Sequence, residues 1–341
     1  GYFGLIRNFR QHSWLLLLLF GASPLVQRSF AVGMPHILKR FGRDALGLPH
    51  ATSLRMGPLG YQSDAQSRIG ASYNCLKSYA ESLYDALTQP YPAYEKMGIL
   101  YEGEYRQLST SLLQIENEFY GTIRPKQPIR PKERPLAALA ARGVEYVEVR
   151  LMDLDPFSPI GITAETIRFL DIFLLYCLLS DSPPDSPKIT AAQAANRHAV
   201  AQRGREPGLP LQDWGQELLK DLQPVAQRLD EAFPEHGGAY AAALQMARQR
   251  LGSPDTTPSA RLLAELAANE EDSLTALTLA RSQAHRQHLL SLPLTADVRE
   301  AYTRMAQESF IEQADIEAAD TGDYEQWRQQ YITSVFPLIS D

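Results

Sequence analysis

The sequence predicts an α+β fold. Residues 113–120 and 143–151 alternate apolar with polar side chains, as half-buried strands do. From Thr163 onward the apolar residues recur instead at helical spacing, giving a largely helical C-terminal half.

Taken in order, residues 2–20 read as a helix that becomes apolar all round toward its end and is therefore buried. Arg7, Asn8 and Arg10 near its start have a structural role, and Gly21-Ala-Ser-Pro24 stops it. Residues 25–60 read as a long loop, because glycine or proline at 33, 35, 42, 47, 49, 57, 58 and 60 interrupts each candidate element. Residues 70–88 fit a helix with Tyr73, Leu76, Tyr79, Leu83 and Leu87 inward, ended by Gln89-Pro90. Residues 93–111 read as a meander of short strands around Gly98 and Gly103.

The two alternating stretches carry the chemistry. In 113–120, Gln114, Glu116, Glu118 and Tyr120 share one face, and Arg124 and Lys126 follow. In 143–151, Val147, Val149 and Leu151 take one face and Tyr146, Glu148 and Arg150 the other. An acid and a base two residues apart on one strand face aim at one place. Such a face is either solvated or lines a site, with Glu148 as a metal ligand and Arg150 as an anion-binding group. Between the stretches, four prolines and the cations Lys126, Arg130, Lys132 and Arg134 form a basic segment, either solvated or covering phosphates.

A helix begins at Thr163 or Ala164 and places Cys177 among leucines, as a buried thiol. Residues 181–187 form a breaker-rich linker, and a helix spans 190–203. Helices follow at about 212–233, 237–251, 258–268, 272–291, 296–319 and 322–334. His285 and His288 stand one turn apart without further ligand partners and read as exposed polar positions.

The stretches LQIENEFYGTIRPK (113–126), GVEYVEVRLMDLDPFSPIG (143–161) and LPHATSLRMGPLGYQS (48–63) resemble the proteobacterial type of glutamate–cysteine ligase, or gamma-glutamylcysteine synthetase. So do GYFGLIRNF and LFGASP near the start and NRHAVAQRGREPG at 196–208. The resemblance implies a glutamine-synthetase-like antiparallel sheet forming an active-site funnel surrounded by helices. It implies ATP-dependent joining of the gamma-carboxylate of L-glutamate to the amine of L-cysteine through gamma-glutamyl phosphate, with Mg2+. For individual residues it implies Arg55, Tyr61 and Tyr120 for substrate binding, Arg124 and Lys126 for the nucleotide, Glu148 for metal and Arg150 for catalysis. It also implies Arg197 or Arg205 as a contact to the nucleotide or to the residues that surround the site, with neither assigned. Residues 1–162 are then the remaining part of the catalytic α/β region. Residues 163–341 are a mainly helical region packed on it, in one continuous catalytic domain lacking the family's N-terminal part. Two readings compete: a noncatalytic fragment or helical interaction protein, and a carboxylate–amine ligase using another amine.

Composition narrows the classes. At 44% hydrophobic and 21% charged residues, the chain is that of a folded globular protein. A net charge of -7 argues against a nucleic-acid binder. Cys75 and Cys177 are too few for a disulfide framework, which suits a cytoplasmic protein. The apolar run at 13–20 is far short of the ~20 residues that span a bilayer, so no membrane partner is expected. There is no Walker A sequence or dinucleotide-binding glycine fingerprint, so phosphates must be met by metal and cations rather than a glycine cradle. The first residue is glycine and the chain opens within a helix, as a fragment of a longer protein would.

Overall fold

A computed structural model describes residues 1–60 and 69–334. Helix α1 (Tyr2–Phe20) is buried along most of its second half, because Trp14 to Phe20 leave no polar stripe to turn outward. Gly21 ends it at a close approach: a Cβ there would lie 2.5 Å from the Leu17 carbonyl oxygen and 2.7 Å from that of Thr52. The expected loop over 25–60 contains a three-stranded antiparallel sheet of β1 (Leu25–Gln27), β2 (Lys39–Phe41) and β3 (Ala45–Gly47), ordered β1-β3-β2. Each strand is three residues long, too short to show against so many breakers.

Helix α2 (Leu76–Thr88) starts later than its periodicity suggests, because Cys75 and Ser78 form a reciprocal cap at its first turn. The expected meander over 93–111 is partly helix: α3 (Pro92–Met97) uses Pro92 at its first position, and a two-residue hairpin follows, β4 (Leu100–Tyr101) with β5 (Glu104–Tyr105).

Residues 113–120 are not a strand. Leu112 and Leu113 are both buried, Glu116–Glu118 form a 3-10 turn, and Glu116 points inward. Its carboxylate meets the Arg134 guanidinium at 3.0 Å, with 4% and 5% of the two side chains exposed. The paired strands are β6 (Ile123–Lys126) and β7 (Tyr146–Val149), antiparallel with Arg124 opposite Glu148 and Lys126 opposite Tyr146. The Arg150 amide extends the ladder to the Thr122 carbonyl at 2.9 Å. Helix α4 (Pro135–Arg142) connects the two strands.

The remaining helices are α5 (Ala164–Leu179), α6 (Pro187–Arg203), α7 (Leu211–Ala232), α8 (Ala239–Gly252), α9 (Pro258–Ala268), α10 (Leu274–Ser291), α11 (Ala296–Ala319) and α12 (Tyr324–Thr333). The core crosses residue 162: Phe9 of α1 meets Phe173 of α5 edge to face at 5.8 Å, and Leu219, Leu222, Leu244 and Leu251 join the same cluster. Cys177 is fully buried there, and burial pushes its thiol up to about 12. Asn8 donates to the carbonyls of Cys177 and Ser180 at the end of α5. Arg7 donates to the carbonyls of Tyr73, Asn74, Ser182 and Pro183, and Arg10 pairs with Asp185 at 3.2 Å. These three polar residues therefore tie α1 to the segments around it, the structural role expected of them. Among the described residues no helix is long and apolar enough to cross a membrane.

Candidate active site

The β6–β7 pair has two faces. Val147 and Val149 pack on the core and Leu151 is fully buried. On the other face Glu148 and Arg150 line a cavity of about 710 Å³, together with Tyr120 and Thr122. Another wall is α6, which presents Thr190, Ala191, Ala194, Arg197 and His198 one to two turns apart. The small side chains at 190, 191 and 194 leave the space, and the two basic residues close the row. Arg55 and Met56 contribute from a 3-10 turn.

Glu148 stands between two cations. Arg150 Nη1 is 3.5 Å from Oε1 and Lys126 Nζ is 3.9 Å from Oε2, both longer than a strong charge-assisted hydrogen bond. Glu148 keeps 37% of its side chain exposed and Arg150 keeps 35%, so neither is spent inside a tight pair. Arg150 also faces the Tyr120 ring, 5.8 Å from its centroid. Arg124 is more deeply placed: it donates to the carbonyls of Asn117 and Phe119, and burial followed by the nearby Arg150 charge lowers its pKa. Its Nε is buried without an acceptor.

Arg55 is held by its own chain. Nε meets Asp153 Oδ1 at 2.7 Å, and Nη2 donates to the carbonyls of Leu151 at 2.6 Å and Met152 at 2.8 Å. Asp153 also accepts from the Ala22 amide and the Ser23 hydroxyl, both at 2.8 Å. This cluster ties the end of α1 and the Arg55 turn to the segment that leaves β7. Phe157, farther along, lies between the guanidinium groups of Arg261 at 3.6 Å and Arg281 at 4.5 Å.

Of the residues singled out by sequence, Arg55, Tyr120, Glu148 and Arg150 converge on the cavity, while Arg124 and Lys126 lie on the same strand face. Tyr61 lies outside the described residues. Asp153 and His198 carry no such expectation from sequence, yet belong to this region, and Arg197, expected only near the site, lines the cavity itself. Burial followed by the Arg197 charge lowers the His198 pKa. The only signal for α6 was the row of small residues at 191 and 194 leading to 197, on a helix without one continuous apolar stripe.

For a divalent cation, Glu148 offers one carboxylate whose Oε2 is buried without a hydrogen-bond donor. Magnesium is commonly held by one or two carboxylates together with substrate phosphates, so this oxygen fits as one ligand. Among the described residues no group of three His, Cys, Asp or Glu side chains gathers to complete a metal site.

The family model described as glutamate–cysteine ligase matches residues 1–200. Among curated proteins, the chain is similar to the glutamate–cysteine ligase of Hahella chejuensis, 45% identical over 98% of this chain and 65% of that protein. It is similarly related to that of Pseudomonas paraeruginosa, 46% identical over 100% of this chain and 66% of that protein. The chain thus spans about 65% of the length of these relatives. Among solved structures, it resembles the glutamate–cysteine ligase of Francisella tularensis in complex with AMP, with TM-score 0.89 and 32% identity over 98% of this chain and 67% of that one. A bifunctional glutathione synthetase from Pasteurella multocida shares the fold at TM-score 0.59 and 21% identity, over 83% of this chain and 32% of that one.

Proposed function

This chain belongs to the glutamate–cysteine ligase family, and we propose that the intact protein carrying it joins L-glutamate to L-cysteine at the expense of ATP. The observation that supports this best is the polar face of β6–β7. It turns a carboxylate and a guanidinium, Glu148 and Arg150, into a cavity sized for small molecules.

A carboxylate is a poor electrophile. Transfer of the gamma-phosphoryl group of ATP to the gamma-carboxylate of glutamate gives gamma-glutamyl phosphate and ADP. The cysteine amine then attacks the carbonyl carbon, the C–O bond to phosphate breaks, and the amine loses a proton as the amide forms. The chain's residues contribute charge and position, which are the main sources of catalysis in such transfers. Arg150 stabilises charge building on the transferring group, and Lys126 with Arg124 sets the positive field along the strand toward the nucleotide. Glu148 would hold Mg2+, which when bound neutralises phosphate charge. Tyr120 offers a ring and a hydroxyl to the cysteine side of the cavity, as Tyr61 does in the family pattern. Arg55 and Asp153 fix the backbone from which Arg150 extends. The core running across residue 162 supports one continuous catalytic domain in place of two units. Two free cysteines are consistent with a reducing cytoplasm.

The test uses the full-length protein with ATP, glutamate and cysteine, following ADP and gamma-glutamylcysteine together. Glu148→Gln keeps the shape but removes the charge a hard cation wants. It is expected to cut turnover and to shift the magnesium titration to higher concentration. Wild-type protein that forms no dipeptide overturns the proposed reaction. A variant with unchanged turnover and titration removes Glu148 from the metal site.

A further inference from the structure

Arg197 is the exception among the guanidinium groups around this cavity. Arg55 is bonded to Asp153 and to the carbonyls after β7, Arg10 is paired with Asp185, and Arg124 donates to two carbonyls. Among the described residues, nothing accepts a hydrogen bond from Arg197 and no carboxylate pairs with it; its Nε is buried and unsatisfied. It still lines the cavity, from the last turns of α6. Taking a guanidinium out of water without a partner is costly, and native proteins keep such groups where a ligand completes them. Burial and the neighbouring Arg10 charge both disfavour the cation and lower its pKa, so an incoming anion relieves each of them. The lining points the same way: among the described residues, Arg55, Arg150 and Arg197 stand against a single carboxylate, Glu148.

We infer that Arg197 binds the alpha-carboxylate of an amino-acid substrate, on a wall of the cavity separate from the strand where phosphoryl transfer takes place. The inference rests on the ligase reading above and deepens it. The strand wall already holds Arg150, with Lys126 beside it, for the reacting phosphoryl end. A substrate that reacts there through its side-chain carboxylate or its amine carries its alpha-carboxylate away from the strand. The planar fork of an arginine matches that group in two parallel hydrogen bonds. Thr190, Ala191 and Ala194, all small, leave the path along α6 to Arg197 open.

The experiment compares wild type, Arg197→Met and Arg197→Lys in the full-length protein. Michaelis constants are measured for glutamate, cysteine and ATP separately, with calorimetric binding of each amino acid as a readout independent of turnover. Arg197→Met is expected to raise the constant for one amino acid roughly ten- to hundredfold, the range for a lost charge-assisted pair, with ATP unchanged and kcat largely kept. Arg197→Lys, which keeps the charge without the fork, recovers part of the loss. Two truncated substrates identify the source. If the carboxylate is that of cysteine, the preference of wild type for cysteine over cysteamine shrinks in the Met variant. If it is that of glutamate, the preference over 4-aminobutanoate shrinks instead. An effect confined to ATP assigns Arg197 to phosphate and overturns the inference, as does an equal change in all three constants or none at all. Melting temperatures control for folding, and Arg197→Gln replaces the Met variant if that one does not fold. Failure of wild type to ligate would count against the reaction, while calorimetry would still test Arg197.

Discussion

The segment that leaves β7 and the cavity face beside it carry similar side chains and treat them in opposite ways. Along residues 151–157 the side chains are matched: Asp153 accepts from Arg55, Ala22 and Ser23, and Phe157 is covered by two guanidinium groups. On the cavity face, Glu148 Oε2, Arg124 Nε and Arg197 Nε are buried without hydrogen-bond partners. Matched groups hold the chain in one place, whereas unmatched ones keep free energy in reserve for a ligand. The difference separates scaffold from site in a region where residue type alone does not.

The largest effect expected from this contrast falls on a matched pair. Glu116 and Arg134 are both buried, and Arg134 donates to both carboxylate oxygens through Nε and Nη2. Removing one partner leaves a buried charge alone, which typically costs about 3–5 kcal/mol. Glu116→Ala should therefore lose about that much in a urea titration of the full-length protein. A loss below about 1 kcal/mol would mean that the pair is not scaffold, and the contrast would fail at its strongest point.

Next comes Arg150, on the unmatched side. If it stabilises charge that develops during phosphoryl transfer, Arg150→Ala should lose on the order of 3 kcal/mol in turnover, with the melting temperature close to wild type. Arg150→Lys should recover only part, because the planar fork is gone. A variant that melts early but turns over normally would make the loose pair with Glu148 at 3.5 Å structural after all.

How much of this could be read from the sequence differs between the same two kinds of region. Continuous helices announce themselves: the expected spans 258–268 and 296–319 are those of α9, which buries Leu262 and Leu266, and of the exposed α11, and Thr163 caps α5 where the pattern changes. The α+β class holds in the structure, as in the Francisella tularensis ligase that it resembles. Strand β7 and its two faces were legible because Val147, Val149 and Leu151 all needed a core. Residues 113–120 misled because alternation records only side-chain type. Glu116 turned inward to an arginine 18 positions away, a pairing that no local pattern contains. That Arg197 lines the cavity was not legible for a related reason: on a helix whose alanines are spread around it without one apolar stripe, periodicity cannot say which face meets the cavity. What makes it distinctive is the lack of a partner, a property of the folded chain.

The smallest effect tests the matched class away from the cavity, through pH. Asp44, in the turn between β2 and β3, accepts from the Ser273 hydroxyl at 2.8 Å, the Leu274 amide at 2.8 Å and the Thr275 amide at 3.1 Å, at the start of α10. Partial burial pushes its carboxyl up, but the hydrogen bonds from Thr275, Ser273 and Leu274 outweigh it and bring the pKa from 3.8 down to about 2. Because the folded value lies below the unfolded one, the ionised cap contributes fully above about pH 4. Its contribution is lost as pH falls from there toward 2. Asp44→Ala should cost about 1 kcal/mol near neutral pH, the usual scale for a lost helix cap. The gap between wild type and variant should then narrow steadily as urea titrations are taken from about pH 5 to about pH 3. Asp44→Asn, which keeps an acceptor but cannot ionise, should show a smaller deficit near neutral pH that also closes on acidification. A gap that stays constant over that range would mean that the charge on Asp44 contributes nothing to holding α10, and that its matched appearance is geometric only.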